Sequence, residues 1–181
     1  MINTILNAVL GDFRGLAHDG DIRRWHCHPH PALRNTGDTV GAHTARVQGD
    51  CESLCNALGI AYTERLRYAA GNHDLPFERI MGDWPATLTR RSRFARWAKR
   101  LIEWKIARDL KIRWRLTKQE ALVLGLCDTL DAALWARDVL EIAGDLACFH
   151  DNFTADIEIC ADKAARLGPK ALVWLGKMLS K

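Results

Sequence analysis

The chain has 181 residues, 48% of them hydrophobic and 27% charged, with a formal net charge of +4. That length suits one domain with a substantial core, and that balance excludes a disordered polymer. No run approaches the about 20 uninterrupted apolar residues of a membrane span, so no membrane association is expected.

Taken in chain order, almost every segment reads as helix. Residues 1–16 form an amphipathic pattern without a basic leader and run on into Asp12 and Arg14, so a cytoplasmic location is expected. Residues 18–41 contain Gly20, Pro29, Pro31, Gly37 and Gly41 and little periodicity, which predicts a long loop of the kind that carries function. Helices are expected at about 43–58 and 62–73, with Gly59 as the stop signal between them. Residues 74–85, with Pro76, Gly82 and Pro85, form a second irregular connection before a long helix over about 86–110. Thr117-Lys118-Gln119-Glu120 has the form of a capping box, in which a hydroxyl and a carboxylate satisfy each other's backbone amides. It opens a helix expected to run towards Gly144. A further helix begins at Asn152 or Thr154 and ends at Gly168, and Pro169 starts a short last one. No strand, repeat or low-complexity segment is evident. The expected fold is all-α, one domain over 1–181.

Six cysteines (Cys27, Cys51, Cys55, Cys127, Cys148, Cys160) are expected to be reduced, with Cys51 and Cys55 as small core residues. No CxxC pair supports a zinc ribbon. Between Arg90 and Arg115 there are eleven basic residues against two acidic ones, Glu103 and Asp109. Such a cluster attracts phosphate or nucleic acid, although many of its members serve simply as a solvated face.

The chemistry-bearing pattern is His43, the pair His73-Asp74, and Asp128. His43 heads the apolar stripe Val47, Cys51, Leu54, Leu58. His73 continues the stripe Tyr62, Leu66, Ala69, Ala70. Asp128 is flanked by Ala121, Leu124, Ala132 and Trp135. A carboxylate on an apolar face requires a cation or strong donors; an arginine from a neighbouring helix would serve as well as a metal. Two imidazoles and two carboxylates suit one hydrolytic divalent ion, among them Co, Mn, Zn or Mg, with positions left for water and substrate. Asp74 and Asp128 can also orient a water nucleophile. Glu78 and Asp83, on the loop after the pair, are candidates for a general acid or for holding water. Arg24-Trp25 pairs a cation with a flat aromatic suited to a phosphate and a base. His26-Cys27-His28-Pro29-His30 is dense in ligands, but its spacing fits no zinc motif.

These residues together resemble the HD-domain metal phosphohydrolases, and within them the bacterial 5′-deoxynucleotidases and small phage dATP triphosphohydrolases. The matching pieces are Arg24-Trp25, Arg34-Asn35-Thr36, Gly41-Ala42-His43-Thr44, Asn72-His73-Asp74, Gly82-Asp83-Trp84-Pro85 and Cys127-Asp128-Thr129-Leu130, in family order over about residues 22–144. The resemblance implies an HD-type helical bundle and metal ligation by His43, His73, Asp74 and Asp128. It also implies that Arg24 and Trp25 seat a deoxynucleotide, that Glu78 and Asp83 lie near the scissile phosphate, and that the protein is a homodimer in the cytoplasm, the host's if the chain is phage-encoded. Ala42 stands where the family usually has glutamate, and Glu78 follows His73 by five residues where the family has four.

The function expected on these grounds is metal-dependent hydrolysis of deoxyribonucleotides. A dNTP such as dATP would give deoxynucleoside and triphosphate, with Arg90, Arg91, Arg93 and Arg96 supplying charge for the triphosphate. Release of phosphate from dNMP is the alternative. A non-catalytic nucleic-acid binder built on the basic segment and Trp97, Trp104 and Trp114 is a weaker reading, because it leaves the inward ligands as coincidence. A domain that binds nucleotide without hydrolysing it is a third.

Overall fold

The computed structural model describes residues 38–74, 92–109, 116–143 and 147–180. Six helices and no strand occur among the described residues, in agreement with the all-α expectation: α1 (Val40–Leu58), α2 (Glu64–Asn72), α3 (Arg93–Asp109), α4 (Lys118–Ala143), α5 (Ala147–Leu167) and α6 (Pro169–Leu179). The helix expected over 1–16, most of the loop expected over 18–41, and the connection after Asp74 lie outside the described residues.

Local chemistry sets the helix ends. Thr39 is extended, and its hydroxyl accepts the Ala42 amide at 3.1 Å, so α1 begins at Val40, three residues before the expected start. Gly59 ends it in the left-handed region, at φ 73°, with the Ile60 amide reaching back to the Cys55 carbonyl. Thr63 caps α2 by accepting from the Leu66 amide, which leaves Tyr62 ahead of the helix and His73 at its C-cap. The Ser92 hydroxyl accepts the Ala95 amide at the start of α3, and the start expected near 86 lies outside the described residues. α5 begins at Ala147, so Asn152 and Thr154 lie within the helix and do not open it. Pro169 takes the first position of α6, as expected.

One apolar cluster joins five of these helices. It contains Val47, Cys51, Leu54 and Cys55 of α1, Leu66 and Ala70 of α2, Val123, Leu126, Cys127 and Leu130 of α4, Cys160 and Ala164 of α5, and Ala171, Trp174 and Leu175 of α6. α1 lies against α2, α4 and α6, while α4 is covered on another side by α5. Cys51, Cys55, Cys127 and Cys160 are buried free thiols, and burial pushes the Cys55 thiol up to about 11, well into the protonated range.

The phase of α4 departs from the expectation. Ala121 is exposed, and Leu124, Ala132 and Trp135 are half-buried; the buried line is Val123, Leu126, Cys127, Leu130 and Ala133. A helix packed from two sides has no single apolar stripe, so periodicity misplaced its inward direction. Asp128 therefore stands at the margin of the buried face.

The capping box at Thr117 forms and does more than cap. Glu120 accepts from the Thr117 amide and hydroxyl at 2.7 and 2.9 Å, from the Thr63 hydroxyl at 2.6 Å and from Arg65 Nε at 2.9 Å. It thus ties the start of α4 to the start of α2, the two elements that carry Asp128 and His73. Burial opposes ionisation of Glu120, but the Thr63, Thr117 and Arg65 donors outweigh it and hold the carboxyl down at about 2. A folded pKa below the unfolded one means stability present above about pH 4.5 and lost as pH falls through about 2. Glu120→Ala is expected to lower unfolding free energy by about 1–3 kcal/mol at neutral pH, measured by urea denaturation. The gap to wild type should narrow as pH falls below about 4.5.

Candidate metal centre

Three helices deliver four donors to one point. His43 lies in the first turn of α1 with its ring fully buried, His73 and Asp74 follow directly on α2, and Asp128 comes from the middle of α4. His43 Nε2 is 3.3 Å from His73 Nε2, 3.4 Å from Asp74 Oδ2 and 3.3 Å from Asp128 Oδ1. His73 Nε2 is 3.4 Å from Asp74 Oδ2 and 3.3 Å from Asp128 Oδ1. All four donor atoms lie within 4.8 Å of one another.

The orientation of each ring is set from behind. His73 Nδ1–H donates to the Ala70 carbonyl at 2.9 Å. His43 Nδ1–H donates to Asp131 Oδ2 at 2.6 Å. Both Nε2 atoms consequently point at the shared centre. Asp131 in turn accepts from Arg46 Nε at 2.5 Å and Nη2 at 3.0 Å, and Arg46 Nη2 also donates to Asp38 at 2.8 Å. None of Asp38, Arg46 and Asp131 is among the residues singled out from the sequence. The available signal is spacing: Arg46 follows His43 by three residues and Asp131 follows Asp128 by three, one helical turn in each case.

The donors fit a single divalent ion. With bonds of about 2.1 Å, neighbouring ligand atoms sit about 3.0 Å apart around an octahedral ion and about 3.4 Å apart around a tetrahedral one. The five separations that involve a histidine, 3.3–3.4 Å, fall in that range, and all four atoms lie within 4.8 Å. Two nitrogens and two carboxylate oxygens suit Zn, Co or Mn, and the carboxylates extend the choice towards Mg. The set contains no cysteine, and four protein donors leave positions for water on an ion that takes up to six. Asp128 has 42% of its side chain exposed, so the centre opens to solvent on that side, whereas His43 forms its back wall.

Electrostatics point the same way. Burial pulls the His73 imidazole down, but the Asp74 and Asp128 carboxylates outweigh it and raise the pKa to about 9. Burial opposes charge on Asp74 and Asp128 too. The imidazole of His73 with that of His43 nevertheless holds the Asp74 carboxyl well below the usual range, and hydrogen bonds from His43 and His73 do the same for Asp128. The site stabilises positive charge at its centre.

The structure brings together His43, His73, Asp74 and Asp128. Arg24, Trp25, Glu78, Asp83, Arg90 and the His26-Cys27-His28-Pro29-His30 segment lie outside the described residues.

A ligand nitrogen must be unprotonated, so an incoming ion displaces the His73 proton wherever pH lies below about 9. Apparent affinity for Mn²⁺ or Co²⁺, measured by titration calorimetry, is expected to rise about ten-fold per pH unit between about pH 6.5 and 9 and to level off above. In chelator the sign reverses for folding. A raised imidazole pKa contributes stability that is complete below about pH 6.5 and lost as pH rises through about 9.

No protein-family model matches this chain, and neither a curated protein nor a solved structure matches it.

Proposed function

We propose that the protein is a metal-dependent phosphohydrolase of deoxyribonucleotides. The observation that carries the reading is the convergence of His43, His73, Asp74 and Asp128 within 4.8 Å, with both imidazoles held so that Nε2 faces inward. A His, His-Asp, Asp order on three helices is the pattern of the HD-domain phosphohydrolases that the chain resembles. A mixed nitrogen and oxygen set with an open side suits hydrolysis better than structural support.

His43, His73, Asp74 and Asp128 would hold the ion, which when bound lowers the pKa of water and polarises a phosphoryl oxygen. Asp74 and Asp128, ionised at neutral pH, would orient the attacking water. The exposed edge of Asp128 is where a phosphate would approach. Arg24 and Trp25 are assigned to seating the deoxynucleotide, Arg90 to its phosphates, and Glu78 or Asp83 to protonating the leaving oxygen. The substrate favoured is a dNTP, dATP first, giving deoxynucleoside and triphosphate; 5′-deoxynucleotidase action on dNMP is the alternative. Homodimerisation and a cytoplasmic location belong to the same reading; no helix among the described residues is long and apolar enough to cross a membrane.

A non-catalytic nucleic-acid binder draws support from α3, whose exposed side carries Arg93, Arg96, Trp97 and Arg100. Basic side chains beside exposed aromatics suit phosphates and bases. That reading leaves the four converging donors without a purpose.

The deciding experiment incubates the protein with dNMPs, dNDPs and dNTPs and Co²⁺, Mn²⁺, Zn²⁺ or Mg²⁺, and resolves nucleoside, phosphate and triphosphate. Triphosphate release from a dNTP is expected. Phosphate from dNMP alone would select the alternative, and no turnover together with chelator-resistant, steeply salt-dependent DNA binding would select the nucleic-acid reading. His73→Ala and Asp128→Ala are each expected to abolish turnover and metal retention while circular dichroism shows an intact fold. Full activity in either would overturn the assignment.

A further inference from the structure

We infer that Asp131, held by Arg46, is a positioning residue that commits His43 to the tautomer able to bind metal. The inference rests on the metal reading of the His43, His73, Asp74 and Asp128 cluster. It adds a residue outside that set, one turn beyond Asp128 on α4.

The hydrogen-bond inventory carries it. An ionised carboxylate only accepts hydrogen bonds. Arg46 Nε donates to Asp131 Oδ1, and Arg46 Nη2 and His43 Nδ1 both reach Oδ2. With Asp131 ionised beside a guanidinium, His43 Nδ1 must carry a proton. A neutral ring protonated there presents a lone pair at Nε2, the atom 3.3–3.4 Å from the other three donors. His43 and Asp131 are both buried, so water does not readily replace this partner.

Two helices each supply one ligand and one member of the clamp: α1 gives His43 and Arg46, α4 gives Asp128 and Asp131. Arg46 Nη2 also donates to Asp38, just ahead of the Thr39 cap, which gives the guanidinium a second carboxylate anchor. His73 has a different anchor, the Ala70 carbonyl of its own helix, and serves as an internal control.

Asp131→Asn is nearly isosteric but turns one acceptor into a donor. Arg46 presents two N–H groups to this carboxylate, so the amide NH₂ must oppose either Arg46 or His43. Where it faces His43, the ring accepts at Nδ1 and carries its proton on Nε2, aimed into the cluster.

The test measures Mn²⁺, Co²⁺ and Zn²⁺ affinity by calorimetry and, in chelator, which ring nitrogens of His43 and His73 carry protons, by NMR. Asp131→Asn is expected to weaken binding about 10–100-fold and to move His43 towards the Nε2–H form, with His73 unchanged. Adding Arg46→Met to Asp131→Asn removes the competing donors, lets the amide oxygen turn to His43, and should recover part of the affinity. Retained affinity in Asp131→Asn, or a loss of affinity with the His43 tautomer unmoved, overturns the proposal. If Asp131→Asn does not fold, Asp131→Ala, which removes the acceptor altogether, carries the test, and it must lower affinity and mix the His43 tautomers. Unchanged affinity there is equally fatal. Wild-type protein that binds none of these ions, like His73→Ala, would reject the metal reading itself, and the tautomer measurement would then judge the role of Asp131 separately.

Discussion

Everything at the centre depends on docking α1 against α4. An imidazole buried as completely as His43 is costly unless both ring nitrogens are satisfied, and its two partners on α4 lie 85 and 88 positions away. Asp131 takes the Nδ1 proton, Asp128 stands at Nε2, and both are on α4. The apolar contact that holds the two helices together is supplied by Val47, Cys51 and Leu54 facing Leu126, Cys127 and Leu130. The core sets the register within which the polar groups meet. A register error of one residue would turn Asp131 about 100° away from His43 and leave a buried ring unpaired.

Charge gives the site its direction. The carboxylates of Asp38, Asp74, Asp128 and Asp131 gather around Arg46 and the two imidazoles. Arg46, its pKa raised further by the hydrogen bonds it donates to Asp131 and Asp38, is committed to the outer pair. The inner pair, Asp74 and Asp128, faces the Nε2 atoms, and the raised pKa of His73 is the consequence. That excess of negative charge, beside two converging Nε2 atoms, suits a divalent ion. The polar groups therefore form two connected layers, an inner one suited to holding an ion and an outer one that keeps the inner one oriented.

α2 is the short partner in this arrangement. Two of the four donors follow directly on its C-terminal end, and only a few buried residues, Leu66, Ala69 and Ala70, anchor it. Glu120 compensates by joining its first turn to α4 through Thr63 and Arg65. Placing the attachment at one end of α2 and the ligands at the other makes the helix a short rigid arm between them. Loss of that attachment would reach the centre through the position of His73.

How much was legible in the sequence follows from the range of each interaction. The caps at Thr117–Glu120, Gly59 and Pro169 could be read because capping is decided within three or four residues. The stripe Val47, Cys51, Leu54 could be read because α1 has one buried face. The set His43, His73, Asp74 and Asp128 was reached from helical phase on α1 and α2 and from a resemblance in motif order. On α4 phase pointed to Ala121 and Ala132, because α1, α2 and α5 all lean on that helix and blur its periodicity. Asp131, Arg46 and Asp38 were not reached at all. In the sequence they are three ordinary surface-type residues, and only a one-turn spacing from His43 and Asp128 marks Arg46 and Asp131. By itself the sequence determined the helices and the donor types available to the centre, since both depend on neighbours along the chain. Which carboxylate holds His43 from behind, and which faces the four-donor centre, was decided only by tertiary packing, because a hydrogen bond across 88 residues exists only after the core has brought its two ends together.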